Sequence, residues 1–341
     1  SHEPGSTFKL VDLIAVIDDK KADTSKIYDS KGGVIEYYGR KVRDSKPGGY
    51  GKISLARGFE LSSNTVLVQS VYDSYKNNPK QFVDRINSYG LNKPLGLPIK
   101  GEGKPVIPQP GTNRWSGVAL PWMAFGYGLS VTPLQTLTLY NAVANDGVMI
   151  KPIFVSEIKE WNKTIKKFDT QVINPKICSQ ETLDKVQAVL ENVVKKGTGS
   201  KLYSKDFSMA GKTGTAQVNY KDKSKLYYAS SFVGYFPADE PKYSCIIVVH
   251  KPNVAAGYYG ADVAGPVFKR IAQKIFTDSP STNHVKNIDA KVVSQEKNYS
   301  EYYKKVEKEE RIIPNVKGMD GMDAVALLEN LEIGRASCRE R

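Results

Sequence analysis

The run from Phe8 to Ile17 constrains this chain more than any other stretch. Its ten residues, FKLVDLIAVI, are apolar except for Lys9 and Asp12. Pro4-Gly5 just ahead of it is a turn signal, so the segment reads as a turn feeding a helix. A helix apolar on nearly every face has to be buried on most of its sides, and the rest of the chain must supply the cover. No apolar run reaches the roughly 18 residues of a membrane span, and no signal peptide is recognisable.

Downstream the pattern is helices first and strands last. Lys20 to Gly51 is polar and Gly-rich, with an alternating piece at Gly33–Tyr38 that predicts a short hairpin. Ile53–Tyr75 and Gln81–Tyr89 read as helices, and the Gly/Pro-rich stretch from Gly90 to Trp122 as long ordered loops. Thr132-Pro133 opens another helix with proline in its first turn. Glu181–Lys195 is amphipathic and stops at Gly197. The period then changes from helical to alternating. Gly211–Asn219, Ala229–Phe236 and Tyr243–His250 predict an antiparallel meander, and Gly265–Phe276 a closing helix. This order predicts an α+β fold, an antiparallel sheet flanked by helices.

Composition narrows the function. The chain has 341 residues, 40% of them hydrophobic, enough for a sizeable core and about two domains. Three cysteines, Cys178, Cys245 and Cys338, exclude a disulfide scaffold. Three scattered histidines exclude a finger-like zinc site, and no metal or cofactor is expected. The net charge of +13 sits early: residues 1–277 carry 38 basic and 24 acidic side chains, whereas 278–311 are neutral. That charge suits an anionic partner or surface, but scattered lysines without a recognition motif argue against nucleic acid. Residues 278–311 read as a charged, solvated linker.

Three short motifs carry possible chemistry. In Ser6-Thr7-Phe8-Lys9, helical spacing puts the Ser6 hydroxyl beside the Lys9 amine, and a helix start offers free N–H groups to a developing negative charge. A lysine in apolar surroundings loses its proton readily and can act as a base. In Ser62-Ser63-Asn64, a hydroxyl and a carboxamide can point the same way from a turn. In Gly211-Lys212-Thr213-Gly214-Thr215, a Gly-containing strand edge can pair with an extended peptide, leaving Lys212, Thr213 and Thr215 to hold a carboxylate. The phosphate-loop pattern is not satisfied there. Each motif alone is unspecific. Ser-x-x-Lys recurs at Ser156/Lys159 and Ser294/Lys297, and Ser281-Thr282-Asn283 mimics the second motif. Only the first copy is followed in order by Ser-x-Asn and Lys-Thr-Gly, and that ordered set is shared by penicillin-binding proteins and class A β-lactamases.

The chain thereby resembles the transpeptidase domain of class B penicillin-binding proteins, with Ser-Ser-Asn in place of Ser-Asp-Asn. The resemblance extends over residues 1–277, through Glu3–Lys9, Gly126–Gln135, Ala210–Gln217, Ser231–Pro237 and Tyr259–Phe268. Residues 312–331 resemble the opening of a PASTA module, which favours the septal, cell-division type. Residues 332–341 depart from the family and resemble translated adapter sequence. The resemblance also implies that a membrane anchor, a non-catalytic module and the first strands of the sheet precede Ser1. The incomplete sheet would then expose an edge, and poor solubility and little acylation are expected of this chain.

The resemblance implies an acyl-serine mechanism on the D-Ala-D-Ala end of peptidoglycan stem peptides, carried by lipid II, on the outer side of the bacterial cytoplasmic membrane. Ser6 would be the nucleophile and Lys9 its base, kept neutral by Lys212 and burial. Ser62 would relay the proton and Asn64 orient Lys9 or the substrate amide. Lys212, Thr213, Gly214 and Thr215 would form the substrate-binding strand, and the N–H groups of Ser6 and Thr215 the oxyanion hole. β-Lactams and other cell-division membrane proteins are the implied partners. The rivals are a D,D-carboxypeptidase, a β-lactamase, for which no convincing deacylating glutamate lies between Ser62 and Lys212, and a non-catalytic penicillin-sensing or peptidoglycan-binding module.

Overall fold

A computed structural model describes residues 1–220, 222–255, 257–278 and 317–318. The chain divides into two units, Ser1–Asp278 and Ser279–Arg341. The charged linker, the PASTA-like start and the terminal segment read from the sequence lie outside the described residues, Asp278 and Lys317-Gly318 apart.

The front helix α1 (Lys9–Asp18) is the centre of the first unit. Leu10, Val11, Leu13, Ile14, Ala15 and Val16 are wholly buried, and so are its two polar members, Lys9 and Asp12. Helices α2 (Asn64–Tyr75) and α4 (Gln180–Lys196) supply much of its cover, and α3 (Pro133–Ala144) contributes Leu139, Tyr140 and Val143 to the same core. Each starts where the sequence provides a cap. Ser63 accepts from the Val66 N–H and Ser179 from the Thr182 N–H. Thr132 and Gln135 form a reciprocal capping box with Pro133 in the first turn. Leu183, Val186, Val189, Leu190 and Val193 give α4 a buried stripe at helical spacing.

Strands β1 (Ala210–Val218), β2 (Tyr227–Phe236) and β3 (Tyr243–His250) form an antiparallel sheet with β2 in the middle. The register aligns Val233 with Lys212 and Ile246, and Ser231 with Gly214 and Val248. Alternation along β2 sorts two cores. Val233 and Tyr235 join the large core around α1, whereas Phe232 and Phe236 pack with Phe268 and Ala272 of helix α5 (Gly265–Asp278). The sheet is therefore sandwiched between helices, the α+β layering expected from the order of elements.

Two expectations need correction. Ile53–Tyr75 is not one helix. It is a strand at Lys52–Ser54, a helix at Leu55–Glu60 and then α2, with the break at Leu61-Ser62-Ser63. Ser62 takes φ +56°, which ends the first helix, and Ser63 caps the second. Two serines together favour caps and turns over helix interior, and this outweighs the apolar periodicity around them. Residues 151–171, to which the sequence reading gave no element, carry an exposed hairpin, Glu157–Glu160 paired with Lys163–Lys167. Its charges show no in/out alternation, so the usual strand signal is missing. The expected hairpin in the polar front segment is present as Val34–Tyr37 paired with Arg40–Arg43. No helix among the described residues is long and apolar enough to cross a membrane.

Candidate active site

The site is assembled where the entrance to α1, the break before α2 and strand β1 meet. Ser6 lies in a single 3-10 turn, Gly5–Phe8, that runs straight into α1. Two contacts fix this turn from behind. Thr7 Oγ1 donates to the Pro4 carbonyl at 2.9 Å, and the buried Tyr140 hydroxyl of α3 donates to the Thr7 carbonyl at 2.9 Å. The Gly5 N–H donates to the Gly126 carbonyl, and a β-carbon on Gly126 would fall inside the Gly5 carbonyl. Gly126 therefore serves by letting two backbones touch beside Ser6. Ser6 itself is half-buried.

One helical turn on, Lys9 points its amine at the second motif. Nζ donates to the Ser62 carbonyl at 2.8 Å, to Ser62 Oγ at 3.2 Å and to Asn64 Oδ1 at 2.6 Å. The Asn64 amide is held in turn by the Arg43 carbonyl, 2.7 Å away. Lys9 is wholly buried, and loss of hydration pushes its pKa down from 10.5 to about 7. The carboxylates of Asp44 and Asp12 pull the other way. At neutral pH, then, a large fraction of Lys9 is the free amine, the form a base requires.

The third motif lies on β1, an edge strand that runs alongside the Ser6 turn. A β-carbon on Gly214 would collide with Ser231 Oγ and crowd the Thr7 methyl, so glycine permits this approach. Lys212 is wholly buried, with its Nζ 5.6 Å from the Phe59 ring centroid and 3.2 Å from the Thr213 carbonyl. Burial first, and the charge of Lys9 second, hold its pKa well below the usual lysine value. The resemblance implies that Lys212 and burial together keep Lys9 neutral; here the charges acting on Lys9 are those of Asp44 and Asp12, and it is the charge of Lys9 that acts on Lys212. In the structure, burial is the leading cause for both amines. The Thr213 hydroxyl sits 2.7 Å from that of Thr198, and Thr215 Oγ1 accepts from the Gly260 N–H at 3.0 Å.

Ser6, Lys9, Ser62, Asn64, Lys212, Thr213, Gly214 and Thr215 are thus brought together from three distant parts of the chain. The Ser156/Lys159 decoy falls on the exposed hairpin, where Lys159 pairs with Glu157. The other two decoys lie outside the described residues.

The chain's first 273 residues match the family model "Penicillin binding protein transpeptidase domain". The chain belongs to the penicillin-binding protein transpeptidase family. It is 30% identical to stage V sporulation protein D of Bacillus subtilis over 98% of its own length and 49% of that protein's. With the peptidoglycan D,D-transpeptidase FtsI of Escherichia coli K12 it shares 28% over 79% of this chain and 42% of that one. Among solved structures, penicillin-binding protein 3 of Mycobacterium tuberculosis superposes with a TM-score of 0.71 at 27% identity, covering 81% of this chain and 63% of that one. The same Mycobacterium protein has also been solved with aztreonam and with ampicillin. The chain spans about half the length of the curated relatives it matches.

Four residues around the transpeptidase motifs were not picked out as site residues in the sequence. Asp44 accepts from Ser63 Oγ, from Thr65 Oγ1 and from the Thr65 N–H, and so pins the start of α2 on both sides of Asn64. Thr198 meets Thr213, and Tyr140 holds the Ser6 turn. Asp12 was noticed only as an interruption of an apolar run. Asp44 had one faint signal, a carboxylate in a Gly-rich loop not far before a Ser/Thr pair that caps a helix. Nothing in the linear sequence marks Thr198 or Tyr140.

Proposed function

We propose that this chain is the catalytic part of a bacterial cell-division peptidoglycan D,D-transpeptidase working through an acyl-serine intermediate. The observation that carries the reading is the buried Lys9 amine, one turn from Ser6 and hydrogen-bonded to both Ser62 and Asn64. A lysine held there at a pKa of about 7 can take the Ser6 proton as the oxygen attacks the carbonyl between the two D-alanines. The Ser6 oxygen bonds to that carbonyl carbon, the peptide C–N bond breaks, and D-alanine leaves with a proton relayed through Ser62. The N–H groups of Ser6 and Thr215 stabilise the oxyanion. Lys212, Thr213 and Thr215 face the terminal carboxylate, and the open edge of β1 pairs with the stem peptide. An acceptor amine then displaces Ser6 and completes the cross-link.

In this reading β-lactams acylate Ser6, and the catalytic part works on the outer face of the cytoplasmic membrane with lipid II-derived stems. A flanking linker and a PASTA-like segment belong to the same proposal. A second reading, wall synthesis during sporulation, is favoured by the match to stage V sporulation protein D, which continues past residue 273. Transcription confined to sporulating cells of the source organism would carry that alternative.

The test is labelling by a fluorescent penicillin followed by cross-linking of purified lipid II-derived strands. A stoichiometric adduct lost in Ser6→Ala, together with dimeric stem peptides, supports the proposal. Release of D-alanine without dimers indicates a carboxypeptidase, and steady turnover of a chromogenic cephalosporin a β-lactamase. An adduct with no reaction on stems leaves only a penicillin-sensing module.

A further inference from the structure

The hairpin between Glu157 and Lys167 does something folding does not ask of it. Every residue from Ile153 to Lys167 is exposed, so the hairpin has no layer packed on either face among the described residues. A two-stranded hairpin without a third layer is barely stable in water. Yet this one displays apolar side chains, Phe154, Ile158 and Ile165, each about half exposed.

Its tip is stranger still. Glu160 pairs with Lys163 across a two-residue turn, and the first turn residue is Trp161 at φ +55°. Such turns favour glycine or asparagine there, because a side chain strains the left-handed backbone. Trp161 is 95% exposed, so no contact among the described residues repays that strain. A large aromatic held out at the most projecting point of an arm is a feature of recognition rather than of packing.

The surroundings select the partner. Residues 151–169 hold five lysines against three acidic residues. Lys159 is neutralised by Glu157, and the Lys166 amine lies 4.7 Å from the Phe168 ring centroid. Lys163 and Lys167 stand exposed on the strand that returns from the tip. Lysine is depleted in protein–protein interfaces. Tryptophan beside lysine is the pairing of the bilayer interface, with the ring at headgroup depth and the ammonium groups at the phosphates. We propose that this Trp161-tipped hairpin docks the transpeptidase unit onto an anionic lipid surface, inserting Trp161 at the level of the headgroups while Lys163 and Lys167 meet lipid phosphates.

The experiment is flotation of the full chain with vesicles of phosphatidylethanolamine and phosphatidylglycerol, compared with phosphatidylcholine alone. Flotation separates bound protein from aggregates, which sink. The expected result is binding to the anionic vesicles that weakens with salt, a blue shift in tryptophan emission, and loss of both in Trp161→Ser. Lys163→Gln and Lys167→Gln should each weaken partitioning about fivefold, the effect of one basic residue near a charged membrane. All three positions are on the surface, so circular dichroism and penicillin labelling should be unchanged and serve as folding controls. The idea is overturned by absence of flotation, by equal binding to neutral vesicles, or by binding that Trp161→Ser leaves intact. A hairpin substitution that changes only the elution volume of the protein would assign the arm to a protein contact instead, and would also overturn it.

Discussion

Asp12 offers the sharpest test of how this core is built. It lies one turn beyond Lys9 on α1, is wholly buried, and neither of its carboxylate oxygens has a hydrogen-bond partner among the described residues. Burial pushes its pKa well above the usual carboxylate value, although Lys9 pulls it back. Replacing it should stabilise the protein, and two variants separate the causes. Asp12→Val removes the unsatisfied polar atoms at nearly constant volume, for a gain of about 1–3 kcal/mol. For a unit of this size that is a rise of roughly 2–8 °C in Tm. Asp12→Asn keeps a polar group and removes only the ionisation. Because the folded pKa is raised, the folded state holds the proton longer than the unfolded chain does. The stability lost to ionisation is absent below the unfolded value of about 3.9 and grows as pH rises toward the folded pKa. The advantage of Asp12→Asn should therefore be small near pH 4 and widen toward pH 8, whereas that of Asp12→Val keeps a constant part. Differential scanning calorimetry across that range measures both. A pH-independent loss of Tm in Asp12→Val would show that the carboxyl has a partner. Asp12→Asn should also shift the penicillin-acylation profile to lower pH, because the Asp12 carboxylate pulls the Lys9 pKa up.

Other consequences follow from the same geometry. With Lys9 near 7, the acylation rate should rise about tenfold per pH unit below neutrality and level off above it, as stopped-flow quenching by a fluorescent penicillin would record. Since that pKa is lowered on folding, its cost to stability is full below pH 7 and fades between about 7 and 10.5, so Lys9→Met should abolish labelling while raising Tm most at acidic pH. Asp44→Ala should cost about 2–4 kcal/mol in urea unfolding through the lost contacts to Ser63 and Thr65, and should move the acid limb of acylation downward because Asp44 holds the Lys9 pKa up. Ser62→Gly suits the positive φ and removes the hydroxyl, so stability should hold or rise by up to about 1 kcal/mol while acylation falls by about 10²-fold or more; an equal fall in both would contradict the relay role. Gly126→Ala should displace the Gly5 carbonyl and cut labelling without touching any motif side chain.

Much of this was legible in the sequence because local chemistry and tertiary position agree. The apolar run before Ile17 is the central helix, Thr132-Pro133 does start α3, and the alternation after Met209 marks the sheet strands to within two residues. The second motif was legible as a motif but not as a place. Periodicity ran one helix through Ser62, and the break became visible only where Ser62 turns left-handed and Asp44, close in space but 19 residues from Ser63, holds the next helix start. Partners supplied from afar leave no mark on the linear pattern. The hairpin at 157–167 was missed for the opposite reason, since nothing buries either of its faces and burial is what writes alternation into a strand.

The positions that defied the sequence rules are concentrated where the site is. Burying one ammonium is costly, and here Lys9 and Lys212 are both wholly enclosed, with the buried carboxyl group of Asp12 one turn beyond Lys9. The sheet and helices hold these groups in place because Lys9 and Asp12 belong to the most apolar helix and Lys212 to the edge strand. Hydration withheld from Lys9 is the same quantity that lowers its pKa to the working range, so the core is not a neutral scaffold for the motif. If this coupling holds, a substitution that lets water reach Lys9 without touching it, such as Leu13→Ala, should both destabilise the unit and move the acid limb of acylation up in pH. A cavity that lowers Tm while leaving that limb at about 7 would break the link between packing and chemistry.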